Sequence, residues 1–302
     1  MDILKAPLQK IQTEIGLKAG VELSVLREDL SHPFLSGNKW RKLKYNLLDF
    51  KNSGKKAILT FGGKFSNHLV ACAAAGKILN IPMIGILRGD ETVINPQQTF
   101  LKQCGMHLLS LSREEYRLRE NAEFLSELSE RCVREFPELI SFPDELFMIP
   151  EGGSNAAGVR GCVEIMQDIP IDSTHIMVAC GTGSTLAGIS IASHEKQNTI
   201  GVSVLKGENF LPESVVRQGE PKERTKILFD YHFGGYAKST ETLNLFCKNF
   251  SNHYCIPLEP VYTGKLFFAC IDLLSNNYFP KGSKIVLIHT GGIFDFKKPL
   301  DF

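Results

Sequence analysis

The sequence has no apolar run approaching the roughly 20 residues that cross a bilayer, no CxxC pair among its eight cysteines, and no surplus of charge. Thirty-four Lys and Arg stand against 33 Asp and Glu, a formal net charge of +1. A balance of that kind sets up no field for nucleic acid or an anionic membrane, so neither is an expected partner. The opening residues, MDILKAPLQKIQTEIG, lack the basic end, apolar stretch and small-residue cleavage site of a signal peptide, and the expectation is a cytoplasmic chain. The cysteines sit mostly inside apolar segments such as ACAAAG and HIMVAC. They read as buried thiols in a reducing compartment, not as metal ligands, which cluster at short spacings. No metal is expected. Fixed-period repeats, low-complexity tracts and Pro/Gly/Ser linkers are also missing, so composition marks no domain boundary.

What is present is an alternation of short apolar runs with longer stretches of helical period, the pattern of an α/β protein with a mainly parallel sheet. The clearest strands are AILTFG (57–62), PMIGILRG (82–89), HIMVACG (175–181), TIGVSVL (199–205) and KIVLIHTGG (284–292). Open α/β sheets bind ligands beyond the carboxyl ends of their strands, so the residues after these runs are where chemistry is sought. Residues 114–136 are charged on one face and apolar at helical spacing, which predicts one surface helix without chemistry.

Two segments carry chemical signals. After the strand HIMVACG comes Gly181-Thr182-Gly183-Ser184-Thr185, then a helix expected to open at Leu186 or Ala187. Glycines let the backbone approach an anion, and the free N–H groups and positive end of a helix complement a phosphate. A Walker loop would need a lysine here, and a dinucleotide fingerprint would need glycine at Leu186. A small phosphate group without magnesium fits better. The second segment, HPFLSGNKWRKLKYNLLDF, holds Lys39, Arg41, Lys42 and Lys44. By itself this charge run reads as the solvated face of a helix.

Taken in order, GNKWRKL, SNH before an Ala-rich helix, GTGST, EPVYTGK and HTGG span nearly the whole chain. This series resembles the 1-aminocyclopropane-1-carboxylate deaminase and D-cysteine desulfhydrase family. The resemblance implies a pyridoxal 5'-phosphate enzyme of fold type II, the tryptophan-synthase β-subunit type. It implies two open twisted sheets with helices on both faces, a smaller domain over 43–150, a larger one of 1–42 and 151–302, and the cofactor in the cleft between them. A homodimer is the assembly it implies.

The same resemblance implies site roles. Lys39 matches the lysine that holds the cofactor as a Schiff base, whose amine needs a pKa lowered by desolvation or by a nearby cation, with Arg41 and Lys42 as candidates. Asn67, beside His68, matches the asparagine at the cofactor's phenolic oxygen. Ser66 matches the serine at the substrate carboxylate, assisted by the helix N-terminus behind it. Gly181, Thr182, Gly183, Ser184 and Thr185 match the phosphate cup. Tyr236 in FGGYAKST and Tyr262 in EPVYTGK match tyrosines that face the substrate, where a phenol binds carboxylate or moves a proton.

Thr263 stands where the true cyclopropane deaminases carry a glutamate near the pyridine nitrogen, and Thr290 where they have an apolar residue. A neutral nitrogen bonded to the Thr290 hydroxyl is a weaker electron sink, sufficient when a good leaving group departs from the β carbon. The resemblance therefore points to α,β-elimination from a small amino acid, D-cysteine first, with the cyclopropane substrate as the alternative. Phe65 stands where both branches usually have glutamine, which makes the substrate pocket more apolar than either. Three rivals are weaker. A nicotinamide dehydrogenase needs a GxGxxG turn that is missing, and Glu208 is a poor ribose partner. A non-catalytic binder of the cofactor would not keep Ser66, Tyr236 and Tyr262. A β-replacement enzyme shares the fold and cup and needs a second nucleophile.

Overall fold

The computed structural model describes residues 3–89, 95–207 and 210–296; Glu208, weighed above as a ribose partner, lies outside them. Among the described residues the chain forms ten strands. These are β1 (Leu8–Ile11), β2 (Glu22–Leu26), β3 (Ala57–Gly62), β4 (Met83–Arg88), β5 (His107–Leu111), β6 (Leu146–Ile149), β7 (His175–Cys180), β8 (Asn198–Ser203), β9 (Thr225–Leu228) and β10 (Lys284–Ile288). The five strands expected from sequence are β3, β4, β7, β8 and β10, although β10 stops at Ile288 and leaves HTGG outside the strand. The other five are short or carry polar residues within, which weakens their signal.

The chain divides into two compact units, and the division falls inside the helix Asn38–Ser53, after Lys42. The smaller unit is built on Leu43–Asn155 with Phe294–Phe296. Its sheet runs β5-β4-β3-β6, all parallel. Every residue of β3 is buried, which is why AILTFG reads as a continuous apolar run and not an alternation. Ala57, Leu59, Phe61, Ile84 and Ile86 pack with Leu128 and Cys132 of the helix Ala122–Glu135.

The single helix expected over 114–136 is two helices, Arg113–Arg117 and Ala122–Glu135. Asn121 turns out of helical geometry (φ −82°, ψ 126°), and its Oδ1 accepts the Phe124 N–H at 2.9 Å. A local side-chain cap satisfies the new helix start, and this outweighs the continuous helical pattern.

The larger unit comprises the segment ending at Lys42 and Ala156–Ile293. Its sheet runs β1-β2-β10-β7-β8-β9, parallel except where β1 meets β2. Alternation assigns its two faces. Met177, Ala179, Ile285 and Leu287 pack with Leu266 and Phe267 of the helix Thr263–Ser275. Ile176, Val178, Cys180, Val286 and Ile288 pack with Leu186 and Ile189 of the helix Ser184–Ala192. Each such buried side chain contributes ~1.5–3 kcal/mol, which fixes both helices to the sheet. Strand β10, the last in sequence, lies between β2 and β7. The carboxyl ends of β7 and β10 are therefore neighbours, the kind of switch point at which open α/β sheets take ligands.

Candidate active site

In the larger unit, β7 runs into Gly181–Gly183 and the helix opens at Ser184, earlier than the expected Leu186 or Ala187. Gly183 caps the helix in the left-handed region (φ 89°) with no side-chain hydrogen bond to the first turn. A Cβ on Gly183 would stand 2.8 Å from Val215 Cγ2, so glycine alone fits this turn. From below, the Thr182 carbonyl accepts from Ser214 Oγ at 2.7 Å and Gln218 Nε2 at 2.9 Å. The result is a rigid, uncapped, positively polarised helix start lined by Thr182, Ser184 and Thr185.

The lysine segment meets this cup. Lys39 is the second residue of the helix Asn38–Ser53 and is partly buried. The residue before it, Asn38, donates from Nδ2 to Thr185 Oγ1 at 2.9 Å. Gly37 adopts φ 67° and lies against the Thr290 carbonyl, where any Cβ would collide. Thr290 is buried, and His289 ahead of it is held with Nε2 2.7 Å from the Pro257 carbonyl and Nδ1 3.3 Å from Asp29 Oδ1. Lys39, Thr290 and Gly181–Thr185 thus gather at the β7–β10 ends.

The charge run is not a solvated face. Lys42 is 2% exposed, its ammonium 3.5 Å from Thr182 Oγ1, and burial lowers its pKa. Arg41 hydrogen-bonds Glu28 Oε1 at 2.6 Å and Asp168 Oδ2 at 2.7 Å, and these two carboxylates raise its pKa against the effect of burial. Its charge is offset there, so of the two cations expected to act on Lys39, Arg41 is neutralised by its own partners.

Tyr262 ends the loop before the helix Thr263–Ser275 and lies over Gly181, whose Cβ would be 3.3 Å from Tyr262 Cε1. Tyr236 meets Tyr262 edge-on, with ring centroids 6.0 Å apart at 70°. Both tyrosines therefore join the cup. Thr263, in the position read from sequence as facing the pyridine nitrogen, is fully buried, and its Oγ1 donates to Glu259 Oε1 at 3.1 Å.

Ser66 and Asn67 belong to the smaller unit, at the carboxyl end of β3. Ser66 caps the helix Asn67–Leu79, its Oγ accepting the Leu69 N–H at 3.3 Å. His68 is buried with Nε2 2.8 Å from Thr60 Oγ1, and Thr60 in turn donates to the Ile149 carbonyl. That commits the threonine proton, so His68 Nε2 is the donor. His68 is a structural link between β3 and β6. Phe65 is 60% exposed.

Sequence reading missed Asn38, Glu259 and Lys265, and took Lys42 only as a cation near Lys39. Asn38 adjoins Lys39 inside GNK, so its signal was there to find. Glu259 accepts N–H groups from Val261 (2.6 Å), Tyr262 (2.9 Å) and Thr263 (2.7 Å), a cap formed by a residue outside the helix. Burial pushes its carboxyl up in pKa, while these donors pull it down.

Residues 2–291 match the family described as pyridoxal-phosphate dependent enzyme. This chain is a pyridoxal-phosphate dependent enzyme. A putative 1-aminocyclopropane-1-carboxylate deaminase of Pyrococcus horikoshii is 30% identical over 96% of this chain and 90% of its own. The mitochondrial bifunctional D-cysteine desulfhydrase/1-aminocyclopropane-1-carboxylate deaminase of Arabidopsis thaliana is 28% identical over 95% of this chain and 76% of its own. The crystal structure of an ACC deaminase homologue superposes with a TM-score of 0.81 at 30% identity, covering 97% of this chain and 90% of the other. The enzyme has the mixed α/β architecture of fold type II, and its cofactor is pyridoxal 5'-phosphate.

The enzyme's larger unit fits that cofactor on its own evidence. The glycine-lined, uncapped helix start suits a phosphate, and the buried Lys42 ammonium beside Thr182 complements its charge. Among the described residues no helix is long and apolar enough to cross a membrane, and no group of three or more His, Cys, Asp or Glu is placed to hold a metal ion.

Proposed function

We propose that the enzyme catalyses α,β-elimination from a small amino acid, with D-cysteine as the first candidate. The observation that carries this reading is the tie between Asn38 and Thr185, which sets the turn bearing Lys39 against the phosphate cup. When bound, pyridoxal phosphate supplies an aldehyde for an amine and a conjugated ring that takes up the electron pair left at the substrate's α carbon.

The chain's own residues do the rest. Gly181–Thr185 and Lys42 would hold the phosphate. Lys39 would present its Nζ amine to the aldehyde and would serve as the base for the substrate's α proton. Ser66 has its oxygen engaged with the Leu69 N–H, which leaves its hydroxyl proton to donate to the substrate carboxylate. Asn67 would donate to the cofactor's phenolic oxygen. Tyr262 and Tyr236 carry phenols to the substrate, for its carboxylate or for proton transfer. Thr290 would offer the pyridine nitrogen a hydroxyl in place of a carboxylate, which would favour substrates whose β substituent leaves readily. For cysteine the net change is cysteine and water to pyruvate, ammonia and hydrogen sulfide.

Ring opening of 1-aminocyclopropane-1-carboxylate is the second reading, supported by the names of the relatives. The deciding experiment records the visible absorbance of the enzyme and its Lys39→Ala variant, before and after D-cysteine. The expected outcome is a cofactor band lost in the variant, with pyruvate and sulfide released by wild type alone. A band unmoved by D-cysteine but moved by the cyclopropane substrate transfers the assignment to the second reading. A homodimer, expected from the resemblance, is checked by light scattering on the same sample.

A further inference from the structure

Lys265 has no part in the mechanism above, yet it is 0% exposed. It is the third residue of the helix Thr263–Ser275, whose positively polarised start disfavours a cation. A lysine is therefore buried at the wrong end of a helix, and its surroundings explain what it does there.

The Lys265 ammonium has three protons and three backbone acceptors: the carbonyls of His232 (2.8 Å), Gly235 (2.8 Å) and Val204 (3.4 Å). His232 and Gly235 are the first residues of two successive turns, closed by the Gly235 N–H on His232 O at 3.0 Å and the Lys238 N–H on Gly235 O at 3.2 Å. Tyr236 lies within the second turn. Four residues of this stretch are left-handed: Phe233 (φ 49°), Gly234 (94°), Gly235 (112°) and Ala237 (55°). Phe233 and Ala237 hold that conformation against the preference of a residue with a Cβ, so the stretch needs an external hold. Lys265 supplies one at both turn corners. It also sits three residues after Tyr262, on the same helix start. One side chain thus sets both tyrosines.

We propose that Lys265 is a positioning residue that clips the His232–Lys238 turns and so holds Tyr236 against Tyr262 for the reaction. This rests on the reading that Tyr236 acts on the substrate. Burial lowers the pKa of Lys265 to about 8 against the pull of Glu259, so the clip weakens in mildly alkaline solution. The other titratable groups around it are Lys206 beside Gly235, Lys238 beside Gly234, His232 in the first turn, Asp272 on its own helix bonded to Tyr231, and Cys247 from the helix Glu241–Tyr254. Burial pushes Cys247 up to about 11, and it stays neutral where Lys265 titrates.

The test uses the holoenzyme, with hydrogen exchange of residues 230–240 and steady-state turnover of D-cysteine as readouts. Lys265→Met keeps the apolar stem and removes the ammonium. The expected result is at least about tenfold faster exchange in that segment, and a loss of kcat/KM approaching the order of a hundredfold that a small misplacement causes. The cofactor band should persist. The double variant Lys265→Met/Tyr236→Phe should be no slower than Tyr236→Phe alone, the mark of two residues acting as one unit. In wild type, exchange in the segment, corrected for the intrinsic rate, should rise above pH of about 8. This limb needs no variant and stands if Lys265→Met does not fold. Unchanged exchange in Lys265→Met and across this pH range, or additive losses in the double variant, would overturn the proposal. Loosening of the segment in an enzyme that does not act on D-cysteine would keep the clip and reject the substrate.

Discussion

Gly37 and Thr290 meet backbone to backbone, the Thr290 carbonyl standing where a Cβ on Gly37 would have to go. The contact brings the GNK turn against HTGG and fixes the start of the Lys39 helix relative to the end of β10. Gly37→Ala combines this overlap with the cost of a left-handed alanine at φ 67°. The expected loss is about 1–3 kcal/mol of stability from overpacking and about 1 more from the backbone, with a weaker cofactor band. Urea unfolding and absorbance on the same sample check both.

Thr185→Val keeps the shape and removes the hydroxyl. Asn38 Nδ2 then loses its acceptor at 2.9 Å. The expected cost is about 1–3 kcal/mol in stability, and cofactor affinity should fall by about a factor of ten if the same hydroxyl meets the phosphate. Cofactor titration by fluorescence measures the second effect separately from the first.

Glu28 is almost fully buried and faces Arg41 with both oxygens, one at 2.6 Å. Glu28→Gln leaves the guanidinium with Asp168 as its strong partner. The expected destabilisation is the low end of the roughly 3–5 kcal/mol for breaking a buried pair. Because Arg41 lies two residues after Lys39, the variant should also lose turnover. A thermal melt that matches wild type would show the network to be redundant.

The lowered pKa of Lys265 has a sign that separates stability from activity. Its ordinary value of 10.5 falls to about 8 in the folded protein. Between these two values the unfolded chain holds the extra proton, so this group adds stability as pH rises from 8 towards 10.5. Activity is expected to fall over the same range as the clip loses its charge. The urea midpoint of wild type should rise relative to that of Lys265→Met from one end of the range to the other; an unchanged difference would show that Lys265 keeps its proton.

The sequence alone determined the α/β class, the strands β3, β4, β7, β8 and β10, and the glycine cup, because their signals are local: runs bounded by turns, and glycines where the backbone bends. It offered Lys39, Ser66, Asn67, Tyr236, Tyr262 and Thr290 as site candidates through the order of their motifs. Within the helix Asn38–Ser53 it had no means to tell Arg41, Lys42 and Lys44 apart, since three cations within one helical turn look alike in a charge run. Tertiary structure separated them. Arg41 found Glu28 and Asp168, Lys42 was buried against Thr182, and Lys44 stayed partly exposed. Lys265 was equally hidden, as its acceptors are carbonyls at 204, 232 and 235, brought to it by β8 and a pair of turns. Backbone carbonyls exist at every residue and carry no sequence signal, so only packing reveals which of them meet in space around a buried charge.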